Sequence, residues 1–406
     1  MMRKTYLFIA ILLLSSLTAF KLESKDNEQI VILVSLDGFR WDYPDRGYSP
    51  KLKEIEEQGV RALTLQPQFP SMTFPNHYSI ITGLVPEKHG IIANYFLNPI
   101  TGDTFSLRHA HVSQSKWYKG EAFWETARRY GIKTAAYFWP GSEMDLEYRR
   151  PDYFESYEHE RPYRTRVAGV IEWLKLPDSL MPRFIMLYFD ETDSKAHSYG
   201  TDSKELNQGI TRVDSMIALL DSGIKDLGLS ERVNLIILSD HGMADISSER
   251  IINLNDLIGN NSKPSVYNYS TMAMIDTHKD SVGILYSRLK NNENRFKVYK
   301  KDEITERYRY KNHPYLPEIL LIADNGWQFV QNNQTSKDRL AAHGYDNKVL
   351  DMQGIFFAKG PAFKKNYKCN TLNNIDIYPL LCKLFDIEPL NNIDGNLLNI
   401  IHVLEE

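Results

Sequence analysis

Six side chains of types that bind metal ions follow short apolar runs or stand in short polar motifs: Asp37, Asp193, His197, Asp240, His241 and His343. Because ligands of open α/β sheets bind at the carboxyl ends of the strands, separate segments would deliver these carboxylates to one edge of the molecule. Imidazole and carboxylate donors without a thiolate suit a zinc site with open coordination positions, in preference to manganese or iron. The set therefore predicts a catalytic metal centre.

Two of the motifs have the spacing of metal ligands. Asp193 and His197 are four residues apart, so both side chains face the same way if this stretch opens a helix. In Ser-Asp-His-Gly at 239–242, the adjacent ligands must diverge in a loop, which the glycine permits. Taken singly, an acidic residue after a strand is usually a turn former or a helix cap. Their coincidence on several segments favours the metal site.

A hydroxyl suited to nucleophilic attack lies in the segment 69–83. Thr73 stands just before Pro75, a residue favoured in the first turn of a helix, and residues 76–81 can continue that helix. At a helix N-terminus the backbone N–H groups and the helix dipole attract a phosphate, while a metal ion lowers the pKa of the hydroxyl. The alternative is a plain N-cap threonine.

The segments around these residues alternate between buried strands and amphipathic helices. Apolar, β-branched runs predict strands at 30–36, 134–138, 184–189, 233–238 and 354–358. Residues 49–58 and 206–220 are predicted helices, the first of them closed by Gly59. This alternation predicts an α/β fold with a mainly parallel central sheet and helices on both faces. Residues 250–341 break the rhythm, and we expect an inserted lid or satellite segment there.

Composition and charge restrict the class of protein. Of the 406 residues 42% are hydrophobic and 25% are charged, which is ordinary for a soluble globular protein. With 48 basic and 52 acidic residues the formal net charge is -4, so no global cationic field would attract a polymeric nucleic acid. The only cysteines, Cys369 and Cys382, would be able to pair in an oxidising compartment, or Cys382 is simply a small buried side chain.

The N-terminus has the pattern of an export signal. Arg3 and Lys4 precede an apolar run at 6–14, which is shorter than the roughly 20 residues that span a bilayer. We therefore expect a signal peptide at residues 1–20, a catalytic domain at residues 21–406, no stable membrane insertion, and a periplasmic or extracellular location. An uncleaved N-terminal anchor is the alternative.

Seven motifs occur along the chain in order: Val34-Ser-Leu-Asp-Gly-Phe-Arg40, Phe69-Pro-Ser-Met-Thr-Phe-Pro-Asn-His-Tyr78, His89-Gly-Ile-Ile-Ala-Asn94, Trp139-Pro-Gly-Ser142, Tyr188 to His197, Ser239-Asp-His-Gly-Met243 and His343-Gly-Tyr-Asp-Asn347. Together they resemble the nucleotide pyrophosphatase/phosphodiesterase family of the alkaline phosphatase superfamily. The resemblance covers most of the mature chain, and it implies an alkaline-phosphatase-like fold.

The resemblance also implies two zinc sites with three carboxylate or imidazole ligands each: Asp193, His197 and His343 in the first, and Asp37, Asp240 and His241 in the second. It implies that Thr73 touches the second zinc and attacks phosphorus, giving a covalent nucleotidyl-threonine that water then hydrolyses. Paired ions neutralise the phosphoryl oxygens in such chemistry. By the same resemblance, Asn94 and the Thr73 backbone N–H bind a non-bridging phosphoryl oxygen, although an ordinary turn residue is the alternative for Asn94.

One motif departs from the family pattern. The family usually has Glu-Glu-Pro-Asp before the aspartate of the first zinc, whereas this chain has Asp190-Glu-Thr-Asp193. The missing proline would loosen the loop, and Asp190 becomes an alternative ligand. Asp193 is kept as the ligand because the four-residue step to His197 belongs to it.

The substrate depends on the pocket rather than on the metal ligands. Phe74 and Tyr157 match positions at which nucleotide-cleaving members sandwich the base between aromatic rings, an interaction worth roughly 1–3 kcal/mol per base. Aromatics make up 12% of the chain, so a chance match is the alternative. Lys116 and Glu143 are further candidates for contact with the base edge.

The expected function is zinc-dependent hydrolysis of phosphodiester or pyrophosphate bonds in nucleotides such as ATP, dinucleotides and nucleotide sugars, with release of a nucleoside 5'-monophosphate. The alternative within the family is a choline glycerophosphodiesterase or lysophospholipase C-type phosphodiesterase, which would need an aromatic and acidic cage for the quaternary ammonium. A third hypothesis, a non-catalytic binding protein of the same fold, is disfavoured by the complete set of ligands and Thr73.

Overall fold

The strands and helices follow the apolar runs of the sequence. The computed structural model describes residues 29–107, 110–259, 264–268, 270–331 and 339–405; the expected signal peptide at 1–20 lies outside these ranges. The strands are β1 (Ile30–Leu36), β2 (Val60–Ala62), β3 (Leu65–Gln66), β4 (Tyr95–Leu97), β5 (Thr104–Ser106), β6 (Thr134–Tyr137), β7 (Tyr153–Glu155), β8 (Phe184–Phe189), β9 (Val233–Leu238), β10 (Ala244–Asp245), β11 (Ile251–Asn253), β12 (Ser265–Asn268), β13 (Met272–Asp276), β14 (Phe296–Lys300), β15 (Ile319–Ala323), β16 (Gln328–Val330), β17 (Ala341–Ala342), β18 (Phe356–Lys359), β19 (Tyr367–Cys369) and β20 (Leu372–Asn373). The helices are α1 (Pro50–Gln58), α2 (Thr73–Thr82), α3 (Pro86–His89), α4 (Phe123–Arg129), α5 (Tyr163–Leu174), α6 (Glu191–Tyr199), α7 (Lys204–Asp226), α8 (Leu254–Ile258), α9 (Lys279–Asn291) and α10 (Ile377–Leu384).

The central sheet is mainly parallel, as the alternation of strand and helix predicts. Its strands lie in the order β19-β2-β18-β9-β1-β8-β6-β7. The five strands from β9 to β7 in this order pair in parallel, whereas β18 runs antiparallel to both of its neighbours. The central position of β1, with β9 on one side and β8 on the other, explains why these three strands are continuous apolar runs.

Alternate residues of β1 face opposite sides of this sheet. Val31 and Leu33 pack into one apolar core, and Ile30, Ile32 and Val34 pack into another. Side chains of α2, α4 and α10 complete the first core, and those of α1, α5 and α7 complete the second. Helices therefore cover both faces, and the predicted fold class is confirmed. In the part of the chain that the structure describes, no helix is long and apolar enough to cross a membrane.

A second, smaller sheet lies within the segment 250–341. Strands β12, β13, β15 and β14 pair in that order, and every pair is antiparallel. Leu285 and Leu289 of α9 pack with Ile275 and Leu321 in a third apolar core. The sequence pattern did not indicate these strands, because each is a short apolar run between polar stretches.

Both cysteines are free thiols. Cys369 ends the edge strand β19, and Cys382 is buried in α10 among the apolar side chains of the first core. The disulfide considered from the sequence is therefore not formed, and Cys382 serves as a small buried side chain.

Candidate metal and phosphate site

The register of the central strands brings the predicted carboxylates to one edge of the sheet. Leu36 pairs with Phe189 of β8, and Ser35 pairs with Leu238 of β9, so the three strands end at the same level. The next residues along each strand lead into Asp37, into helix α6, and into Asp240 and His241 respectively. Parallel pairing thus places donors from three segments side by side, at the carboxyl ends where open α/β sheets bind ligands.

One group of donors is formed by Asp37, Asp240 and His241, which are all buried. Nε2 of His241 lies 3.4 Å from Oδ1 of Asp37 and 3.1 Å from Oδ2 of Asp240. The backbone N–H of Gly38 donates to Oδ1 of Asp240 at 3.2 Å, which holds the carboxylate in place. Three donor atoms that approach one another this closely can hold one metal ion.

A second group lies around Asp193. Its Oδ1 is 3.3 Å from Nε2 of His197, the predicted neighbour four residues on in helix α6. The same Oδ1 is 3.5 Å from Nε2 of His343. His241 lies close to this group as well, since its ring stacks on that of His343 with the centroids 3.7 Å apart. The two groups are therefore neighbours, and His241 lies between them.

Each of the three imidazoles has its Nδ1 against a backbone carbonyl oxygen: His197 against Ala341 at 2.7 Å, His241 against Gly242 at 2.8 Å, and His343 against Ser71 at 3.0 Å. Because a carbonyl oxygen only accepts hydrogen bonds, each Nδ1 carries the proton and donates it. The lone pair of each imidazole is then on Nε2, which faces the carboxylates. This arrangement is typical of metal-binding histidines.

The electrostatics of the two groups fit a divalent cation. Oδ1 of Asp37, Oδ1 of Asp193 and Oδ2 of Asp240 are buried and have no hydrogen-bond donor among the described residues. Burial raises the pKa of Asp37 and of Asp240 well above the usual range, and repulsion from the neighbouring carboxylates raises both further. Burial acts on Asp193 in the same direction, but the adjacent imidazoles outweigh it and hold its pKa below the usual range. Cations would neutralise these unpaired oxygens, so the residues fit the expected metal.

Three contacts around Asp37 were not predicted from the sequence. The hydroxyl of Tyr188 donates to Oδ2 of Asp37 at 2.5 Å, and the hydroxyl of Thr192 donates to its backbone oxygen at 2.5 Å. Gly38 has a φ of 63°, and a Cβ there would lie 3.0 Å from Cα of Asp193. Only glycine therefore allows the end of β1 to approach helix α6 so closely. A tyrosine in an apolar strand has the sequence signature of core packing, which hid the role of Tyr188.

Thr73 is the first residue of α2, and Met72 is the N-cap residue. Its Oγ1 lies 3.3 Å from Nε2 of His241, at the border of the donor groups. The backbone N–H of Thr73 has no acceptor within the helix, because it belongs to the first turn. Asn94 is fixed beside it, since its Oδ1 accepts the N–H of Phe74 at 3.0 Å. The plain N-cap alternative for Thr73 is wrong, because another residue occupies that position.

Asp190 lies apart from the donor groups and has other partners. Nη1 of the buried Arg166 donates to Oδ1 of Asp190 at 3.1 Å, and Nδ1 of His159 lies 3.2 Å from Oδ2. These contacts leave Asp193 as the better candidate ligand of the motif. Helix α6 begins at Glu191, directly after Asp190, without the proline of the family pattern.

A cavity of about 1190 Å³ opens over the donor groups. Phe74, Tyr157 and Glu143 all line it, and Oε1 of Glu143 accepts the N–H of Tyr157 at 2.8 Å. The Tyr157 ring packs edge-on against Phe138, with the centroids 5.3 Å apart. Lys116 does not line the cavity, because its Nζ lies 2.7 Å from Asp103 on the surface. Of the two candidates for the base edge, the structure brings only Glu143 to the pocket.

A mainly parallel α/β sheet with paired carboxylate–imidazole groups at its carboxyl edge is typical of metal-dependent hydrolases. Residues 31–346 match the family model described as type I phosphodiesterase / nucleotide pyrophosphatase. The chain belongs to this family, whose members are hydrolases of phosphodiester and diphosphate bonds. The resemblance seen in the sequence is thereby confirmed.

Relatives and solved structures agree with this assignment. The chain is 38% identical to the bis(5'-adenosyl)-triphosphatase enpp4 of Xenopus laevis, over 91% of this chain and 80% of that protein. It is 34% identical to human ectonucleotide pyrophosphatase/phosphodiesterase family member 5, over 99% of this chain and 84% of that protein. The solved structure of the mouse member 5, an inactive threonine-to-alanine variant in complex with AMP, matches with a TM-score of 0.88 at 35% identity, over 93% of this chain and 100% of that chain.

Proposed function

We propose that the chain is an exported, zinc-dependent phosphodiesterase that cleaves phosphodiester or pyrophosphate bonds of nucleotides and releases a nucleoside 5'-monophosphate through a covalent intermediate on Thr73. The observation that carries the proposal is the position of the Thr73 hydroxyl. It lies 3.3 Å from Nε2 of His241, at the first residue of a helix and on the floor of the cavity. A hydroxyl there has both a helix N-terminus and metal-ligand residues beside it.

The two donor groups would each hold one ion: Asp193, His197 and His343 the first, and Asp37, Asp240 and His241 the second. His197 is assigned to the first group because its Nε2 is only 3.3 Å from Oδ1 of Asp193, and because its Nδ1 is fixed by a carbonyl oxygen. Bound zinc ions would lower the pKa of the Thr73 hydroxyl and neutralise the phosphoryl oxygens. The unpaired buried oxygens of the carboxylates support a divalent occupant.

The chemistry proceeds in two displacements at phosphorus. In the first, Oγ1 of Thr73 releases its proton to solvent and bonds to phosphorus, and the bond from phosphorus to the leaving oxygen breaks, with the electron pair remaining on that oxygen. In the second, the oxygen of water bonds to phosphorus, the bond to Thr73 breaks, and the threonine hydroxyl regains a proton. Positioning and charge stabilisation supply most of the catalysis in such reactions.

Asn94 and the backbone of Thr73 would bind a non-bridging phosphoryl oxygen. Because Oδ1 of Asn94 accepts the N–H of Phe74, its amide NH₂ group is directed away from that contact and is available to the phosphate. The Thr73 N–H, which has no acceptor within α2, provides a second donor. Donors held in position before the reaction stabilise the transition state without reorganisation.

The nucleotide assignment rests on the cavity and on the relatives. Phe74 and Tyr157 line the same cavity, and stacking of a base on such rings tolerates every base. A bound AMP in the mouse relative and the dinucleotide named for the frog relative support a nucleotide substrate for this chain. The human relative is named an ectonucleotide pyrophosphatase/phosphodiesterase, which supports export of this chain together with the sequence pattern at its N-terminus.

The deciding test compares two dye esters with the zinc-loaded protein. The p-nitrophenyl ester of thymidine 5'-monophosphate, a diester, should be hydrolysed far faster than p-nitrophenyl phosphate, a monoester. Thr73→Ala should reduce turnover of the diester roughly a thousandfold while zinc content stays at about two per chain, because Thr73 is only one ligand of one ion. Equal rates on the two esters, or an active Thr73→Ala protein, would show that the proposal is wrong.

Thr82→Ala is the matched control for this test. Thr82 ends the same helix, and its buried hydroxyl donates to the backbone oxygen of Tyr78 rather than facing the cavity. The control removes an equivalent hydroxyl, so it should lose some folding stability and keep its turnover. A similar loss of activity in both variants would indicate damage to the helix rather than loss of a nucleophile.

A choline phosphodiester remains the second candidate, because the cavity combines aromatic rings with the carboxylate of Glu143. Burial raises the pKa of Glu143, and a quaternary ammonium would be attracted to its ionised form and to the neighbouring rings. Product analysis with ATP and lysophosphatidylcholine side by side separates the two candidates. Faster release of phosphocholine than of AMP would favour this one.

A further inference from the structure

The cavity wall carries one guanidinium and several carboxylates. Among the described residues that line it, Arg339 is the only lysine or arginine. The lining carboxylates belong to Asp37, Asp193, Asp190 and Glu143. Because metal ions would neutralise Asp37 and Asp193, the remaining lining carboxylates, Asp190 and Glu143, would repel substrate charge beyond the reacting phosphate, and Arg339 would attract it.

The position of Arg339 is set by its neighbours in the chain. The N–H of Leu340 donates to the backbone oxygen of His197 at 2.8 Å, and the oxygen of Ala341 accepts Nδ1–H of the same histidine at 2.7 Å. These two hydrogen bonds attach the backbone next to Arg339 to helix α6, beside the Asp193 group.

The Arg339 side chain is available to a ligand. It is exposed, and it forms no ion pair with any acidic residue in the described parts of the chain. Other arginines near the site are engaged already, as in the contact of Arg166 with Asp190. A guanidinium that lines a cavity without an acidic partner is well suited to bind a phosphate through two parallel hydrogen bonds.

The geometry of displacement assigns this charge to the leaving group. Attacking and leaving oxygens lie on opposite sides of phosphorus in an in-line reaction. Thr73 lies against His241, and in the proposed arrangement the leaving oxygen would point to the opposite, Asp193 side, where the backbone next to Arg339 is attached to helix α6. The reacting phosphate itself does not need Arg339, because Asn94 and the helix N-terminus are next to Thr73.

We propose that Arg339 binds the phosphate of the leaving group and makes the protein selective for nucleotides whose leaving group is itself a phosphate, such as pyrophosphate or a second nucleotide. The inference rests on the proposed function and deepens it. With ATP, Oγ1 of Thr73 bonds to the α-phosphorus, the bond from that phosphorus to the oxygen that bridges to the β-phosphate breaks, the electron pair stays on that oxygen, and pyrophosphate departs paired with Arg339. No bond to the arginine is made or broken.

The test uses Arg339→Ala and Arg339→Lys in the zinc-loaded full-length protein, with kcat/KM measured for two substrates. The leaving group of ATP is the charged pyrophosphate, whereas the leaving group of the p-nitrophenyl ester of thymidine 5'-monophosphate carries no phosphate. Arg339→Ala should lower kcat/KM for ATP about tenfold and change that for the dye ester less than about twofold, since a partly exposed charge-assisted hydrogen bond is screened by solvent. Arg339→Lys should retain much of the ATP activity, because it retains the charge.

Lys348→Ala is the matched control, because Lys348 is an exposed cation of the same region that does not line the cavity. This substitution should leave kcat/KM unchanged for both substrates. An equal loss on both substrates in Arg339→Ala, or an unchanged rate with ATP, would overturn the inference. If the parent protein hydrolyses the dye diester but substitution of Arg339 leaves kcat/KM for ATP unchanged, only the inference about Arg339 is wrong. If the parent protein hydrolyses neither substrate, the proposed function is wrong as well.

Discussion

Removing the hydroxyl of Tyr188 should weaken metal binding without unfolding the protein. This hydroxyl donates to Oδ2 of Asp37 at 2.5 Å, and both side chains are buried. The hydrogen bond favours the ionised carboxylate and opposes burial, which raises the pKa of Asp37. In Tyr188→Phe the metal-free protein therefore holds the Asp37 proton more tightly, and a metal ion must displace it.

The size of the effect follows from the chemistry of the bond. A hydrogen bond to a charged group contributes about 1.5–3 kcal/mol, and loss of a partner that orients a metal ligand typically weakens metal affinity roughly 10- to 100-fold. We expect Tyr188→Phe to bind zinc about tenfold more weakly than the parent at neutral pH, near the lower end of this range, because Asp37 is one of three ligands in its group. The difference in zinc affinity between parent and variant should become smaller as pH rises, because removal of the Asp37 proton then costs less free energy.

The assay is competition for zinc between the protein and a chromogenic chelator, measured at several pH values. Tyr310→Phe is the control, because the buried Tyr310 hydroxyl donates to the backbone oxygen of Ile92 at 2.6 Å, away from the donor groups. The control should lose about 1 kcal/mol of unfolding free energy and keep its zinc affinity. A zinc affinity of Tyr188→Phe within about twofold of the parent would refute the role assigned to this hydroxyl.

Two further predictions concern Gly38 and Glu56. Gly38→Ala should lower zinc content and the midpoint of thermal unfolding, at a cost on the order of 1–3 kcal/mol, because a Cβ would lie 3.0 Å from Asp193 and the φ of 63° is strained for alanine. Burial raises the pKa of Glu56, but hydrogen bonds from three basic side chains lower it to about 2. The stability from this depressed pKa is present above about pH 5 and is lost as pH falls toward 2. Because Lys53 and Lys368 are exposed and solvent screens their charge, Glu56→Gln should be less stable than the parent at pH 6 by on the order of 1 kcal/mol, and should differ little from it near pH 2.

A control or a pH series can contradict each of the predictions for Gly38 and Glu56. For the glycine, Gly102→Ala is the control, because a Cβ there meets nothing within 4 Å although the φ is also positive; equal zinc loss in both variants would exclude a contact with Asp193 as the cause. For the glutamate, thermal unfolding of parent and variant is compared between pH 6 and pH 2. A stability difference that does not shrink on acidification would mean that charge pairing at Glu56 is not the cause.

Central strands were the most predictable part of the fold. The runs 30–36, 184–189 and 233–238 are strands with the same bounds in the structure, because strands buried on both faces are uninterrupted apolar runs. The strand predicted at 134–138 ends one residue earlier, at Tyr137, because Phe138 has a left-handed backbone conformation with a φ of 66°. The antiparallel direction of β18 leaves no trace in an apolar pattern, because it depends on how the chain returns to the sheet.

The donor residues were predictable for a different reason. Aspartate and histidine at the ends of apolar runs are conspicuous, and a four-residue step such as that from Asp193 to His197 can be recognised without coordinates. Tyr188 and Arg339 carry no such signal. A tyrosine within a strand has the signature of core packing, and an arginine in a polar stretch has that of solvent exposure. The hydrogen bond of Tyr188 to Asp37 and the place of Arg339 in the cavity lining are visible only in the structure.

The location of the donors in the sheet explains how the protein can hold three carboxyl groups close together in its interior. Strands β9, β1 and β8 are adjacent at the centre of the sheet, and every residue in them is buried. Burying one large apolar side chain contributes about 1.5–3 kcal/mol, so these strands together offset the cost of the carboxylates at their ends. The donor atoms are thus held together before any ligand arrives, and binding energy is not spent on assembling them. Ligands placed instead on edge strands such as β7 or β19 would lack this support, and a metal site there would have to order its own backbone.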